Sequence, residues 1–255
     1  MTLLVDVGNS AVKWAVLAGE GRFAASGRVL HRDGADLAAA LAMAWKAFAR
    51  PSRAVGCSVA GEPVNAAVEA AARTVGLPAV EWLGAQASFS GAVSLASGYR
   101  DPRQLGADRW HALLGACERV PGDSLVVANA GTATTVDCVR FASGGARFIG
   151  GCIAPGVRLM LESLARGTAG LPLAAGPPGD FPDTTDQAIV TGVLDAQAGL
   201  VERVWRRFAA VLETPPRLVV AGGHADVLAA RLPREFAPFI DHNLVLRGLA
   251  LRAAA

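Results

Sequence analysis

The chain has 255 residues, 52% of them hydrophobic and 18% charged, with a net charge of +2. That length holds one large domain or two ordinary ones, and the composition supports a sizeable core. A near-neutral balance with no basic stripe gives no electrostatic case for nucleic acid, so none is expected as a partner.

The opening segment MTLLVDVGNS has no charged leader, and Asp6 interrupts its apolar run. It does not read as a signal peptide. No window of about 18 uncharged apolar residues occurs, so no membrane association is expected. Residues 3–7, 12–17 and 23–30 read as three strands separated by tight turns, the first turn being Gly8-Asn9-Ser10. A helix is expected over 34–50, a buried strand over 54–60, a helix over 63–76 and a strand over 79–84. The order is β-β-β-α-β-α-β.

A helix over 104–123 follows, with Gly106 to Asp108 near its start. The pattern then restarts: 124–156 reads again as three strands and two turns, followed by a helix from about Val157 to Ala165. The Gly- and Pro-rich stretch 166–185 is expected to be irregular. A long helix begins near Thr184, Thr185 or Asp186, which are natural N-caps. Residues 217–232 read as strand, Gly-Gly turn and helix, and 243–254 as a last helix whose final alanines fray. Four cysteines (Cys57, Cys117, Cys138, Cys152) lack CxxC spacing and sit among small apolar residues. They read as core thiols in a reducing cytoplasm.

The two halves repeat one another. Aligning 4–10 with 127–133 pairs Asp6 with Asn129, Gly8 with Gly131 and Asn9 with Thr132. In each half a strand runs into a turn of Gly and short polar residues. Glycine lets the backbone approach a ligand closely, and successive N–H groups and hydroxyls make a nest for an anion. One such turn is an ordinary hairpin. Two at matching positions point to the phosphates of one nucleotide.

These segments also carry a resemblance. Asp6-Val7-Gly8-Asn9-Ser10 with Lys13, then GADRW (106–110), GTATTVD (131–137), GGCIAPG (150–156) and RGTAGLP (166–172), come in the order found in type III pantothenate kinases. The chain resembles that family, including the branch named for the Bvg accessory factor. The resemblance implies an α/β fold of two RNase H-like domains in the actin-like (sugar kinase and actin) arrangement, divided into 1–118 and 119–255, with ATP in the cleft between them. It implies ATP-dependent phosphorylation of pantothenate to 4′-phosphopantothenate, the first step of coenzyme A synthesis, by a cytoplasmic homodimer.

It further implies that Asp108 is the base for the pantothenate hydroxyl, and that Tyr99, Gly106, Arg109 and Thr168 line the pantothenate pocket, Thr168 from the partner subunit. ATP and its phosphates fall to Asp6, Gly8, Asn9, Ser10, Lys13, Gly131, Thr132 and Thr134, with Gly222 and Gly223 against the adenosine. Asp6 would hold Mg²⁺ through water, since a bare carboxylate repels phosphate. Each residue also has a plainer reading. Lys13 is equally a solvated strand lysine, Asp108 a helix N-cap, Tyr99 a loop tyrosine packed on its neighbours, and Thr168 a turn threonine. Many family members have Asp where this chain has Asn129, and that aspartate helps hold a monovalent cation, K⁺ or NH₄⁺. With Asn129 the cation site is expected to be weaker or absent, and Asp137 compensates only if the strand turns it inward. A nucleotide-binding regulatory protein of the same fold, or a kinase of another small hydroxyl compound, stays open beside the kinase reading.

Overall fold

The computed structural model describes residues 1–31, 36–48 and 51–255. The chain forms two compact units, one of 1–119 together with 243–255, the other of 120–242.

The first unit starts with β1 (Thr2–Val7), β2 (Ala11–Leu17) and β3 (Phe23–Leu30). They are followed by α1 (Leu37–Trp45), β4 (Arg53–Ser58), α2 (Glu62–Thr74) and β5 (Val80–Trp82). The sheet order is β3-β2-β1-β4-β5, antiparallel among the first three and parallel from β1 outward. Alternation along β1 sends Leu3, Val5 and Val7 to one face. There they meet Val12, Trp14 and Val16 of β2, with Leu41 and Trp45 of α1 and Val68, Ala71 and Ala72 of α2. Each large side chain buried here contributes roughly 1.5–3 kcal/mol. Asp6 falls on the opposite face, in cross-strand register with Lys13 and Cys57. A short hairpin, β6 (Ser88–Ser90) and β7 (Ser94–Ser97), precedes α3 (Ala107–Arg119).

The second unit repeats this plan. It contains β8 (Leu125–Ala130), β9 (Ala133–Ala142), β10 (Gly145–Pro155), α4 (Val157–Gly167), α5 (Thr185–Ala209), β11 (Arg217–Ala221), α6 (Ala225–Ala230) and β12 (Phe239–Ile240). Its strands run β10-β9-β8-β11-β12, with the same parallel and antiparallel pairings. Ala128, Ala130, Val136 and Cys138 form the core with Ala198, Val201, Val204 and Phe208 of α5. The internal match seen in sequence is therefore matched by strand order in space. Thr184 caps α5, accepting a hydrogen bond from Gln187 N at 3.3 Å.

The last helix, α7 (Leu244–Ala254), belongs to the first unit rather than to the second half, where the sequence reading put it. The cause is local. A Cβ on Gly115 of α3 would collide with the Leu244 carbonyl oxygen, and a Cβ on Gly248 of α7 with that of His111. Two helix glycines let α3 and α7 pack backbone to backbone.

Other differences are small. The helix expected over 34–50 is described over 37–45, and positions 34, 35, 49 and 50 lie outside the described residues. The Ser-rich β6–β7 hairpin and two-residue β12 carry too little β-branched sequence to read as strands. The final alanines are helical to Ala254. Among the described residues no helix is long and apolar enough to cross a membrane.

Candidate active site

In the first unit the chemistry gathers at the C-terminal end of β1 and the start of α3. Asp6 is only 8% exposed. Burial pushes its carboxyl up to about 7; Lys13 opposes the shift and Asp108 adds to it. The Cys57 thiol stands 4.0 Å from Asp6 Oδ1. Burial, then Asp6 and Asp108, hold that thiol well above its usual range, so it stays protonated. The β1–β2 turn is closed by Gly8 N donating to Ala11 O at 3.0 Å, and Asn9 and Ser10 are exposed. The turn therefore presents open backbone beside a buried carboxylate.

Asp108 lies inside the first turn of α3 rather than at its N-cap. Its Oδ1 accepts a hydrogen bond from Arg109 N at 2.7 Å. Burial raises its carboxyl, against the pull of that N–H and the Arg109 charge. A Cβ on Gly106 would stand 2.7 Å from Asp108 Oδ1, so glycine makes room for this carboxylate. Gly106 thus acts next to Asp108, two residues along. Arg109 is 5% exposed, and its Nη1 donates to the Tyr99 hydroxyl at 3.0 Å, with the guanidinium 5.7 Å from the ring centre. Asp6, Lys13, Tyr99, Gly106, Asp108 and Arg109 thus belong to one unit.

In the second unit the matching turn joins β8 to β9. Gly131 N donates to Ala133 O at 3.1 Å and to Asn129 O at 3.2 Å. The first turn spans four residues between the pairs Val7–Val12, and this one three between Ala130–Thr134. Thr134 is fully buried, on the face of β9 that carries Val136 and Cys138 into the core. Thr135, 8% exposed, shares the Asn129 face instead. Asp137 lies on that face too, two residues further from the turn. It does turn inward, being 2% exposed, and a Cβ on its strand partner Gly151 would collide with its Oδ1.

Gly222 takes φ +97°, and a Cβ there would strike the Ala130 backbone. Its first requirement is close packing at the end of β8. Gly223 is exposed beside it. Thr168 ends α4, donating to Leu164 O at 2.9 Å and accepting from Leu171 N at 3.3 Å, which ties down the start of the following loop.

Two residues carry more than the sequence reading gave them. Cys57 passed for an anonymous core thiol; only the β1–β4 register sets it against Asp6. Gly156 was visible inside its motif, yet its task needs the fold. Its N–H donates to Thr132 O at 3.0 Å, and a Cβ would collide with the Gly131 carbonyl oxygen.

The type III pantothenate kinase family model matches residues 2–207. The chain belongs to the type III pantothenate kinase family. Among its curated relatives, the type III pantothenate kinase of Laribacter hongkongensis is 43% identical over 251 residues, covering 98% of this chain and 97% of the relative. That of Aromatoleum aromaticum is 44% identical, covering 99% and 98%. Family membership makes the chain a kinase, a phosphotransferase. Solved structures agree on the fold. A putative 2-dehydro-3-deoxygalactonokinase from Sinorhizobium meliloti has a TM-score of 0.57 at 14% identity, covering 100% of this chain and 99% of its own. A conserved putative Baf family transcriptional activator from Campylobacter jejuni has a TM-score of 0.52 at 17% identity, covering 99% and 98%.

Proposed function

We propose that this chain carries out the family's reaction, ATP-dependent phosphorylation of pantothenate to 4′-phosphopantothenate, with Asp108 as the group that accepts the pantothenate hydroxyl proton. The observation that carries the assignment is the Asp108 environment. Its carboxylate is raised by burial, given room by Gly106, and followed by an arginine held on Tyr99. A base with a raised pKa binds a proton better, and a guanidinium held in place suits a carboxylate such as that of pantothenate.

Phosphoryl transfer is mostly positioning and charge neutralisation. In this reading the Gly8-Asn9-Ser10 turn and the Gly131-Thr132 turn present N–H groups to the ATP phosphates. Lys13 supplies positive charge, and Gly222 and Gly223 border the adenosine. Mg²⁺, when bound, neutralises charge on the transferred phosphate. Asp6 fits it as an outer ligand, since a buried carboxylate beside a phosphate turn needs a cation to be tolerated there. Asn129 offers a neutral oxygen to a monovalent cation, and Asp137 a carboxylate on the same sheet face. Thr168 reaching into the pocket of a partner subunit makes the active form a homodimer. Four free cysteines suit a cytoplasmic enzyme.

The test is ADP release from Mg²⁺-ATP, with and without pantothenate, in potassium, ammonium and sodium buffers. Pantothenate-dependent turnover that Asp108→Asn lowers by about 10³-fold is expected. Folded enzyme that binds ATP yet shows no pantothenate dependence in any salt would refute the assignment. A rate that rises with potassium would show that the cation site survives with Asn129.

A further inference from the structure

Gln197 sits mid-way along α5 and is 2% exposed. A primary amide buried on the core face of a helix must be satisfied by particular partners. Its Nε2 donates to Pro155 O at 2.9 Å and lies 2.9 Å from Met160 Sδ. Its Oε1 has no hydrogen-bond partner. Pro155 ends β10, and Gly156 follows it as the N-cap of α4. Gly156 N donates to Thr132 O at 3.0 Å, and Met160 N returns to Gly156 O at 3.0 Å. The Gly156 Cα packs so closely on the second turn that a Cβ would strike the Gly131 and Thr132 carbonyls. One buried amide therefore grips the carbonyl immediately before the glycine that braces this turn, and lies against the side chain of Met160, whose N–H closes the first turn of α4.

We infer that Gln197 is a positioning residue for ATP: through Pro155 and Gly156 it fixes the Gly131-Thr132 turn in its phosphate-binding shape. The inference rests on the reading that this turn holds ATP phosphates. A nest of N–H groups binds an anion well only when its backbone is held before the anion arrives, so loosening the brace weakens ATP without touching pantothenate.

The experiment is steady-state kinetics on Gln197→Met, which keeps side-chain length but removes the amide donor. Two variants run beside it: Thr132→Val in the turn itself, and Val201→Ala, which thins the α5 core away from the junction. The expected result is a KM for ATP raised about tenfold in Gln197→Met. kcat and the KM for pantothenate stay within about twofold, and Val201→Ala leaves the KM for ATP unchanged while lowering the melting temperature. If Gln197→Met only lowers the melting temperature, and Thr132→Val alone raises the KM for ATP, Gln197 is a packing residue and the inference falls while the turn assignment stands. If neither moves the KM for ATP, the turn assignment falls and takes the inference with it. Should Gln197→Met fail to fold, Gln197→Leu, which also removes the amide donor and fits the apolar surroundings, is read the same way.

Discussion

Tyr99 holds Arg109 in two ways: its hydroxyl accepts a hydrogen bond from Nη1 at 3.0 Å, and its ring lies 5.7 Å from the guanidinium carbon. The residues are ten apart in sequence, one in the segment before α3 and the other in its first turn. A buried guanidinium loses rotamer freedom before any ligand arrives, so less entropy is lost on binding. Tyr99→Phe keeps the ring and deletes the hydroxyl. A hydrogen bond to a charged group contributes about 1.5 kcal/mol or more, so the KM for pantothenate should rise about tenfold, with the KM for ATP unchanged. Arg109→Lys should do worse, because an ammonium cannot bind a carboxylate in two parallel bonds. An unchanged pantothenate KM in both variants would remove Arg109 from the pocket.

Gly106→Ala probes Asp108 without altering its chemistry. The new methyl would meet Asp108 Oδ1 at 2.7 Å, so the carboxylate must move or rotate. A misplacement of about 1 Å at a reacting group costs on the order of a hundredfold in rate. The expected outcome is a kcat lowered by about that factor with a folded enzyme and a nearly normal KM for ATP. Wild-type kcat would show that the position of Asp108 tolerates movement, and would weaken its assignment as the base.

Much of this was legible in the sequence because local signals and tertiary needs agree. Strand, turn and strand at 2–17 and again at 125–142 follow from apolar runs broken by Gly-rich turns, and the repeat announced matching topology. Asp6 stood out because it interrupts an apolar run just before a Gly-rich turn, whereas Asp108 and Arg109 were marked by the resemblance of GADRW to the family's motif. The burial of Thr134 was not legible, because two adjacent threonines point to opposite faces, and which faces the core depends on where α5 packs. The place of α7 depends on two glycines 133 residues apart, Gly115 and Gly248, which have no meaning until the helices cross. Gln197 could not be read at all, since a glutamine on a long helix is usually solvated.

That crossing yields a stability prediction. In Gly248→Ala the methyl would overlap the His111 carbonyl oxygen, and the obstacle is backbone, which has no rotamer to escape into. Helix propensity favours alanine by about 1 kcal/mol, but overpacking costs about 1–3 kcal/mol and more when backbone must shift. We expect a net loss of roughly 2 kcal/mol in urea unfolding. A stabilised Gly248→Ala variant would mean that the helices separate easily and that the glycine pair does not set their approach.

The same crossing holds a buried histidine whose titration is coupled to folding. His111 is fully buried; its Nδ1 donates to Ala107 O at 2.7 Å and its Nε2 has no partner. Burial lowers its pKa from 6.5 to about 4, the Arg252 charge adds to the shift, and the Ala107 carbonyl opposes it. In the folded protein the ring is therefore neutral at pH 5, while in the unfolded chain it is mostly protonated. The unfolded state binds the extra proton between the two pKa values, so stability is full above about pH 6.5 and falls as pH drops toward 4. The loss from this one group is on the order of 3 kcal/mol at its limit. Urea unfolding at pH 7.5, 6 and 5, compared between wild type and His111→Gln, isolates it from the carboxylates. The difference in stability between the two proteins should shrink steadily in favour of the variant as pH falls. Parallel pH profiles would mean that the imidazole takes up its proton over the same pH range in the folded and the unfolded state, so that burial does not perturb it.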